Sequence, residues 1–225
     1  MEFDKGSYRD PSDQVFYLDS KVYRGISKHG LSRYEFIKKN ILKEATESGF
    51  LIETKEVELI NQKEKKFAKI VEHKKIPFLT YPYEWTFNQL KIAALFHLDF
   101  QLYLLERDAK LIDATAYNIQ FIGPKPIFID LMSIDKYENG ESWFAHNQFC
   151  EQFLNPLLLK SIMNTNFNNI MRSSIEGIES TWLNNITPIF KKINPKIFFN
   201  LYLKAIFDKN AIKNKTFKKN KKLKK

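Results

Sequence analysis

Three polar residues stand where the surrounding apolar pattern gives them no packing role: Asp113, Asn118 and Asp130. Asn118 follows Asp113 by five positions, and Asp130 follows Asn118 by twelve. A positioned carboxylate accepts the proton of an attacking hydroxyl, and Mg²⁺ takes oxygen ligands, commonly one or two carboxylates together with substrate phosphates. If these side chains face one cleft, they predict a site for phosphate chemistry with a metal ion.

Each of the three also has a purely structural interpretation. Asp113 and Asn118 are of the types that accept backbone N–H bonds where a chain turns, and Asp130 would then only end a strand. The strand, turn and strand predicted between Asn118 and Asp130 favour the chemical interpretation, because they bring the two ends of the segment back together.

The amino-terminal part of the chain predicts a small β-rich unit with one helix. Residues 15–19 and 22–26 alternate in polarity on either side of a two-residue break and predict a hairpin. Residues 33–48 have the periodicity of an amphipathic helix that stops at Gly49. Two further strands are predicted at 66–73 and 76–82.

Helices dominate the chain after Pro82. Residues 88–108 carry a broad apolar stripe and predict a long helix. A loop and two short strands, 118–122 and 126–130, follow it, and helices continue to about residue 207. The fold class predicted is therefore α+β, with a β-rich amino-terminal part and a helical carboxyl-terminal part.

The net charge of +10 is concentrated at one end of the 225-residue chain. Residues 209–225 hold nine lysines and no acid, so the other 208 residues carry 10 − 9 = +1. We expect this tail to be a solvated, disordered end. Peripheral contact with an anionic membrane through the tail is the alternative, and a nucleic-acid partner is not expected, because the basic residues are not arranged on folded elements.

The compartment predicted is the cytoplasm. Cys150 is the only cysteine, so no internal disulfide can form, and the first residues lack the basic-then-apolar order of a secretory signal. No apolar run approaches the roughly 18–20 residues that a spanning helix needs.

The segment 111–130 resembles the catalytic core shared by protein kinases and aminoglycoside-phosphotransferase-like small-molecule kinases. The resemblance implies a two-lobed fold that binds ATP or GTP and Mg²⁺, with Asp113 as the base and with Asn118 and Asp130 as metal ligands. The domains implied are an extension at 1–12, an N-lobe at 13–85, a C-lobe at 86–208 and the tail at 209–225.

The chain departs from the kinase pattern at several positions. Leu111 stands where a histidine is usual, Leu131 and Met132 replace Phe-Gly, and no glycine-rich cover or strand lysine of the usual motif is evident. The phosphate-binding cation is then expected at Arg24, with Lys69 as the second choice. The remaining residues implied at the nucleotide site are Glu44, to orient that cation, and Tyr81 and Tyr83, near the base.

Four runs of sequence carry a second resemblance: residues 10–26, 76–101, 111–135 and 143–159. They are similar to the amino-terminal part of a bacterial family labelled SAM-dependent methyltransferase, which is related to nodulation and surface-polysaccharide proteins. This resemblance implies an acceptor hydroxyl on a small molecule or envelope glycan, and a methyltransferase partner. The chain has no glycine-rich SAM-binding turn, so a non-catalytic pseudokinase-like module that supports a methyltransferase stays open beside the phosphotransferase.

Overall fold

The computed structural model describes residues 2–4, 11–58 and 66–206. The described part divides into two compact units. Unit 1 comprises residues 1–81 and 95–145, and unit 2 comprises residues 82–94 and 146–225, in each case as far as they are described. The basic tail 209–225 lies outside the described residues.

Unit 1 is built on a five-stranded antiparallel sheet in the order β1-β2-β3-β5-β4. The predicted hairpin is confirmed, with a tight turn at Asp19 and Ser20, both at positive φ. The strand predicted at 66–73 is confirmed as a shorter one. The strands are β1 (Glu2–Phe3), β2 (Asp13–Leu18), β3 (Lys21–Ile26), β4 (Thr54–Val57) and β5 (Lys69–His73).

One face of the sheet is covered by an aromatic cluster. Phe16, Tyr23, Phe67 and Ile70 are buried together, and the ring of Phe16 stacks on those of Tyr23 and Phe67. Gly25 lies beneath the Phe67 ring so closely that a Cβ there would stand 2.3 Å from a ring carbon. Because successive side chains of a strand alternate between faces, Arg24 points to the opposite face.

The helix predicted at 33–48 is two helices, α1 (Leu31–Asn40) and α2 (Leu42–Glu47), which meet at Ile41. Tyr34 of α1 donates a hydrogen bond to Glu56 of β4 at 3.1 Å. Arg33 of α1 donates to the backbone oxygen of Met132 at 3.3 Å. These contacts join α1 both to the sheet and to the segment that follows Asp130.

The segment 76–82 is not a strand, contrary to the prediction. Pro77 and Pro82 have no N–H for a ladder, and the chain is held instead by one side chain. The Gln120 amide accepts a hydrogen bond from Thr80 N and donates one to Thr80 O, both at 2.9 Å. A side chain therefore supplies here what a neighbouring strand would supply in a sheet.

The long helix, α3 (Phe87–Leu105), begins in unit 2 and ends in unit 1. After it, unit 1 contains two small antiparallel sheets. Four short strands form these two sheets. The two middle strands form the hairpin predicted from the sequence, and the first strand pairs with the last, which was not predicted. The strands are β6 (Ala109–Leu111), β7 (Ile119–Ile122), β8 (Lys125–Phe128) and β9 (Ile134–Lys136).

Unit 2 is helical where it is described. Asn168 donates hydrogen bonds to the backbone oxygens of Tyr83 and Trp85, and Asn155 donates to Ile178 O at 2.7 Å. Its helices are α4 (His146–Phe149), α5 (Asn155–Met163), α6 (Asn168–Ser173), α7 (Ser180–Ile186), α8 (Ile189–Lys192) and α9 (Pro195–Ile197), with π-helical turns at Cys150–Leu154 and Phe198–Leu203.

The α+β class, with a β-sheet in the amino-terminal part and helices in the carboxyl-terminal part, is thus confirmed. Within the described ranges, no helix combines the length and the apolar character needed to cross a membrane.

Candidate functional site

The two small sheets of unit 1 place the three polar residues singled out from the sequence. Asp113 follows β6, and Ile112 beside it donates a backbone hydrogen bond to Ser133 O at 2.9 Å. Asn118 closes the short 3₁₀ turn before β7, and its backbone oxygen accepts a bond from Ile129 N at 2.9 Å. Because Asp130 follows Ile129, the β7–β8 hairpin places Asp130 next to Asn118.

The side chain of Asn118 joins the two carboxylates. Its Nδ2 lies 3.5 Å from Oδ2 of Asp113, 3.5 Å from Oδ2 of Asp130 and 3.2 Å from Oγ of Ser133. Asp113 Oδ1 accepts a hydrogen bond from Thr115 N at 2.9 Å, which orients that carboxylate. The structure therefore brings Asp113, Asn118 and Asp130 together, as their spacing predicts.

Asp130 is contacted on both of its oxygens. Arg24 Nη1 lies 2.8 Å from Oδ1, and the Ser133 hydroxyl donates to Oδ2 at 2.5 Å. Arg24, on β3 of the main sheet, is thus in direct contact with the carboxylate at the end of the second hairpin. This contact places the basic residue expected to bind phosphate beside the carboxylate expected to bind metal.

Arg24 is buried and has three partners. Its Nη1 pairs with the carboxylate of Asp13 as well as with that of Asp130, and its Nε donates to His73 Nε2 at 3.3 Å. Burial alone would lower the pKa of Arg24, but the charges of Asp130 and Asp13 outweigh it and raise that pKa above its usual value. The guanidinium therefore stays cationic in the folded protein.

Two other residues predicted at the nucleotide site have partners elsewhere in unit 1. Lys69 forms an ion pair with Glu56 at 2.6 Å, and Glu44 forms one with Arg107 at 3.1 Å. The structure thus does not bring Glu44 to Arg24 or to Lys69. A carboxylate does accompany Arg24, but it is Asp13, which precedes it in the same hairpin.

The two tyrosines fall in different units. Tyr81 is 45% exposed, and its ring centroid lies 6.5 Å from that of Tyr117, one residue before Asn118. Tyr83 belongs to unit 2, where its backbone oxygen accepts the hydrogen bond from Asn168. Tyr81 is therefore the aromatic residue of the two that lies in the same unit as the carboxylates.

Sequence analysis missed Asp13, His73 and Ser133. Asp13 and His73 were hidden because strand pairing, not sequence spacing, brings them to Arg24. Ser133 lies three residues after Asp130, and a short polar residue at that distance in a turn is a signal that could have been noticed.

The residues present suit a hard divalent cation. Asp13, Asp113 and Asp130 carry three formal negative charges and Arg24 one positive charge, which leaves the cluster at −2. The carboxylates and the Ser133 hydroxyl offer oxygen atoms as metal ligands. The Asn118 amide does so as well once it is rotated by 180° to present Oδ1. Across the described ranges, no group of three or more His, Cys, Asp or Glu side chains is arranged to hold a metal ion.

Comparisons with known proteins show one sequence relative and several structures of partial likeness. No protein-family model matches the chain. Nodulation protein NoeA from Rhizobium meliloti (strain 1021) is 37% identical over 202 residues, which are 89% of this chain and 42% of that protein. The resemblance to nodulation-related proteins is thereby confirmed.

The solved structures that are similar to this chain include two proteins named as kinases. Vaccinia related kinase 3 is similar at a TM-score of 0.45 and 12% identity, over 78% of this chain and 68% of that one. The bifunctional kinase-methyltransferase WbdD has a TM-score of 0.45 and 12% identity, over 92% and 51%. WaaP, solved in complex with acyl carrier protein, has a TM-score of 0.39 and 7% identity, over 82% and 86%.

The chain spans less than half the length of the nodulation protein that it matches.

Proposed function

We propose that unit 1 binds a purine nucleotide, ATP or GTP, with Mg²⁺ and transfers the γ-phosphoryl group to a hydroxyl of a small molecule or sugar. The observation that supports this most is that the side-chain amide of Asn118 contacts the carboxylates of both Asp113 and Asp130. Arg24 in turn contacts Asp130. A base, two oxygen-donating residues and a phosphate-binding cation are the parts that phosphoryl transfer needs.

Each residue has one role in this proposal. Asp113, oriented by Thr115 N–H, accepts the proton of the acceptor hydroxyl as its oxygen bonds to the γ-phosphorus. The bond from that phosphorus to the β–γ bridging oxygen breaks, and its electron pair leaves with the nucleoside diphosphate. Asn118 and Asp130 hold Mg²⁺, which when bound neutralises charge on the phosphate oxygens.

Arg24 contacts the phosphates, and Tyr81 stacks with the base. Lys69 and Tyr83 are weaker candidates for these two roles, because Lys69 is paired with Glu56 and Tyr83 belongs to unit 2. The resemblance to proteins of nodulation and surface polysaccharides makes an envelope glycan or its precursor the acceptor we propose.

A second candidate function is a non-catalytic kinase-like module that associates with a SAM-dependent methyltransferase. The hydrogen bond from Thr115 N to Asp113 is the observation that favours it, because this bond holds the turn whether or not the carboxylate ever accepts a proton. The nucleotide would then bind without turnover, or would not bind.

Calorimetric titration of ATP and GTP, with and without Mg²⁺, tests the proposal. The parent protein should bind the Mg²⁺ complex more tightly than the free nucleotide, and Asp130→Ala should remove that difference while metal-free binding changes little. Asp135→Ala is the matched control, because Asp135 on β9 pairs with Arg33 and has no assigned role. If Asp130→Ala binds Mg-ATP as the parent does, Asp130 does not hold the metal.

Turnover separates the two candidate functions. Asp113→Asn should keep nucleotide affinity and lower phosphoryl transfer by roughly 10²–10⁴, the usual contribution of a general base. Release of nucleoside diphosphate in the presence of sugar acceptors is the measurement. If the parent protein binds Mg-ATP but releases no nucleoside diphosphate, whether a sugar or water is the acceptor, the result favours the non-catalytic module.

A further inference from the structure

The contact between Arg24 and His73 has only one possible hydrogen-bond direction. Arginine Nε always carries a hydrogen, so His73 Nε2 must accept with its lone pair. The proton of the neutral ring is therefore on Nδ1, which lies 2.8 Å from Thr54 Oγ1. The Thr54 hydroxyl in turn donates to Ile52 O at 2.9 Å.

This chain of bonds holds the imidazole in one orientation. It starts at Arg24 on β3, passes through His73 on β5 and Thr54 on β4, and ends at the backbone beside β4. Burial, and after it the charge of Arg24, lowers the pKa of His73 to about 3, so the ring remains a neutral acceptor. Each group in the chain has a donor and an acceptor assigned without conflict.

Asp13 holds the other side of the guanidinium. It is the first residue of β2, pairs across the hairpin with Ile26, and is buried with 4% exposure. Its carboxylate pairs with Arg24 Nη1, the nitrogen that also contacts Asp130. Among contacts between described residues, Arg24 is therefore held through Nε and Nη1, and its Nη2 donors remain for a ligand.

We propose that Asp13 and His73 are positioning residues that hold Arg24 to recognise a phosphate group. The proposal rests on the proposed nucleotide function and adds to it the residues that set the orientation of the cation. A planar guanidinium binds phosphate through two parallel N–H bonds, so its orientation matters as much as its charge. Holding it from two sides removes the rotamer freedom that a free arginine would lose on binding.

The experiment compares ADP with adenosine in the absence of metal. These ligands share the base and sugar and differ in the phosphates, so their affinity ratio reports phosphate recognition. His73→Met removes the acceptor at similar volume and should lower ADP affinity about tenfold, the effect of losing one hydrogen bond to a charged group, while adenosine affinity is unchanged. His73→Gln, which returns an oxygen acceptor near the position of Nε2, should recover most of the loss.

Two more variants keep the test decisive if His73→Met does not fold. Thr54→Val is nearly isosteric and removes the hydroxyl that orients the ring, so it should lower the ADP-to-adenosine ratio in the same direction, but less. Asp13→Asn keeps an acceptor and loses the charge, and should also lower the ratio. Glu72→Gln is the control, because Glu72 lies on the other face of β5, pairs with Lys21, and should leave the ratio unchanged.

The outcomes separate this inference from the proposed function. If the parent binds ADP and adenosine and the folded His73 and Asp13 variants keep the parent's ratio, the positioning role is overturned and nucleotide binding stands. An equal loss of both affinities shows a merely structural role and also overturns it. If the parent binds neither ligand and no Mg-nucleotide, the proposed function fails and this inference fails with it.

Discussion

At the scale of single residues, Asp130 is the group on which most of the candidate site depends. Its two oxygens have different partners: Arg24 contacts Oδ1, and the hydroxyl of the buried Ser133 contacts Oδ2. Ser133 also accepts from the Asn118 amide. The Ser133 hydroxyl thus orients Asp130, one of the two residues assigned to the metal, in the way that outer-shell partners orient metal ligands elsewhere.

We expect Ser133→Ala to weaken Mg²⁺-dependent nucleotide binding about tenfold, the lower end of the usual effect of losing an outer-shell partner. Binding of nucleotide without metal should change little, because Arg24, the residue that contacts the phosphates, is still held by Asp13 and His73. Calorimetric titration of ATP at several Mg²⁺ concentrations measures this. Equal losses with and without metal would show that Ser133 supports the fold instead of the metal ligands.

Also at the residue scale, the sequence predicted only part of the site. Asp113, Asn118 and Asp130 were predictable, because one short turn and one hairpin connect them and the chain carries their spacing directly. Asp13 and His73 were not, because strand pairing brings them to Arg24 from eleven and forty-nine positions away. Glu44 was predicted to orient Arg24 because it lies on the helix that follows Arg24 in the sequence. In the structure, the pairing of β2 with β3 brings Asp13 to Arg24 instead.

At the scale of elements, Glu56 joins α1 to the sheet. It accepts from Lys38 and Tyr34 of α1 and from Lys69 of β5. The hydrogen bonds from Lys38 and Lys69 lower the pKa of Glu56 to about 2, although burial opposes them. Because the folded pKa lies below the usual 4.5, Glu56 contributes stability above that pH and loses it as the pH falls towards 2.

We therefore expect Glu56→Gln to be less stable than the parent at neutral pH, and to lose less stability than the parent between about pH 4.5 and 2. Urea unfolding at a series of pH values in that window measures the difference. Lys69→Met, which removes one of the two ammonium partners, should give an intermediate slope. Parallel pH profiles for parent and Glu56→Gln would contradict the assignment.

The elements themselves were predicted to differing degrees. The periodicity of 33–48 indicated one helix, but the structure breaks it at Ile41, whose backbone lies outside the helical region at φ −126° and ψ −47°. The strand predicted at 76–82 is absent. That prediction relied on apolar alternation and did not weigh that the two prolines have no N–H to donate to a neighbouring strand. A long, mostly apolar segment such as α3 was the easiest to predict, because its length exceeds that of a strand.

At the scale of the whole molecule, charge is distributed unevenly along the chain. The first 208 residues carry a formal charge of +1, and the last seventeen carry +9. The candidate site, by contrast, is a cluster of formal charge −2 inside unit 1. A basic terminal segment and an acidic site call for separate tests, because salt affects screened surface charges far more than buried ones.

A chain ending at residue 208 should keep the melting temperature of the full chain, because the removed residues are mostly lysine and asparagine and bring little apolar surface to bury. If the tail binds vesicles containing anionic lipid, that binding should fall steeply between about 50 and 200 mM salt and should be absent from the chain that ends at residue 208. Scanning calorimetry and vesicle sedimentation are the measurements. A large drop in melting temperature would show instead that residues 209–225 dock on the fold.

The bond chain from Arg24 to Ile52 has a spectroscopic consequence. Because the hydrogen bond made by one ring nitrogen decides where the other keeps its proton, His73 should exist as a single Nδ1–H tautomer. Its two ¹⁵N resonances should then be widely separated and sharp, and His29, which is exposed, is the histidine for comparison. The imidazole is thus a reporter of the arginine beside it, readable in the protein before any ligand is added.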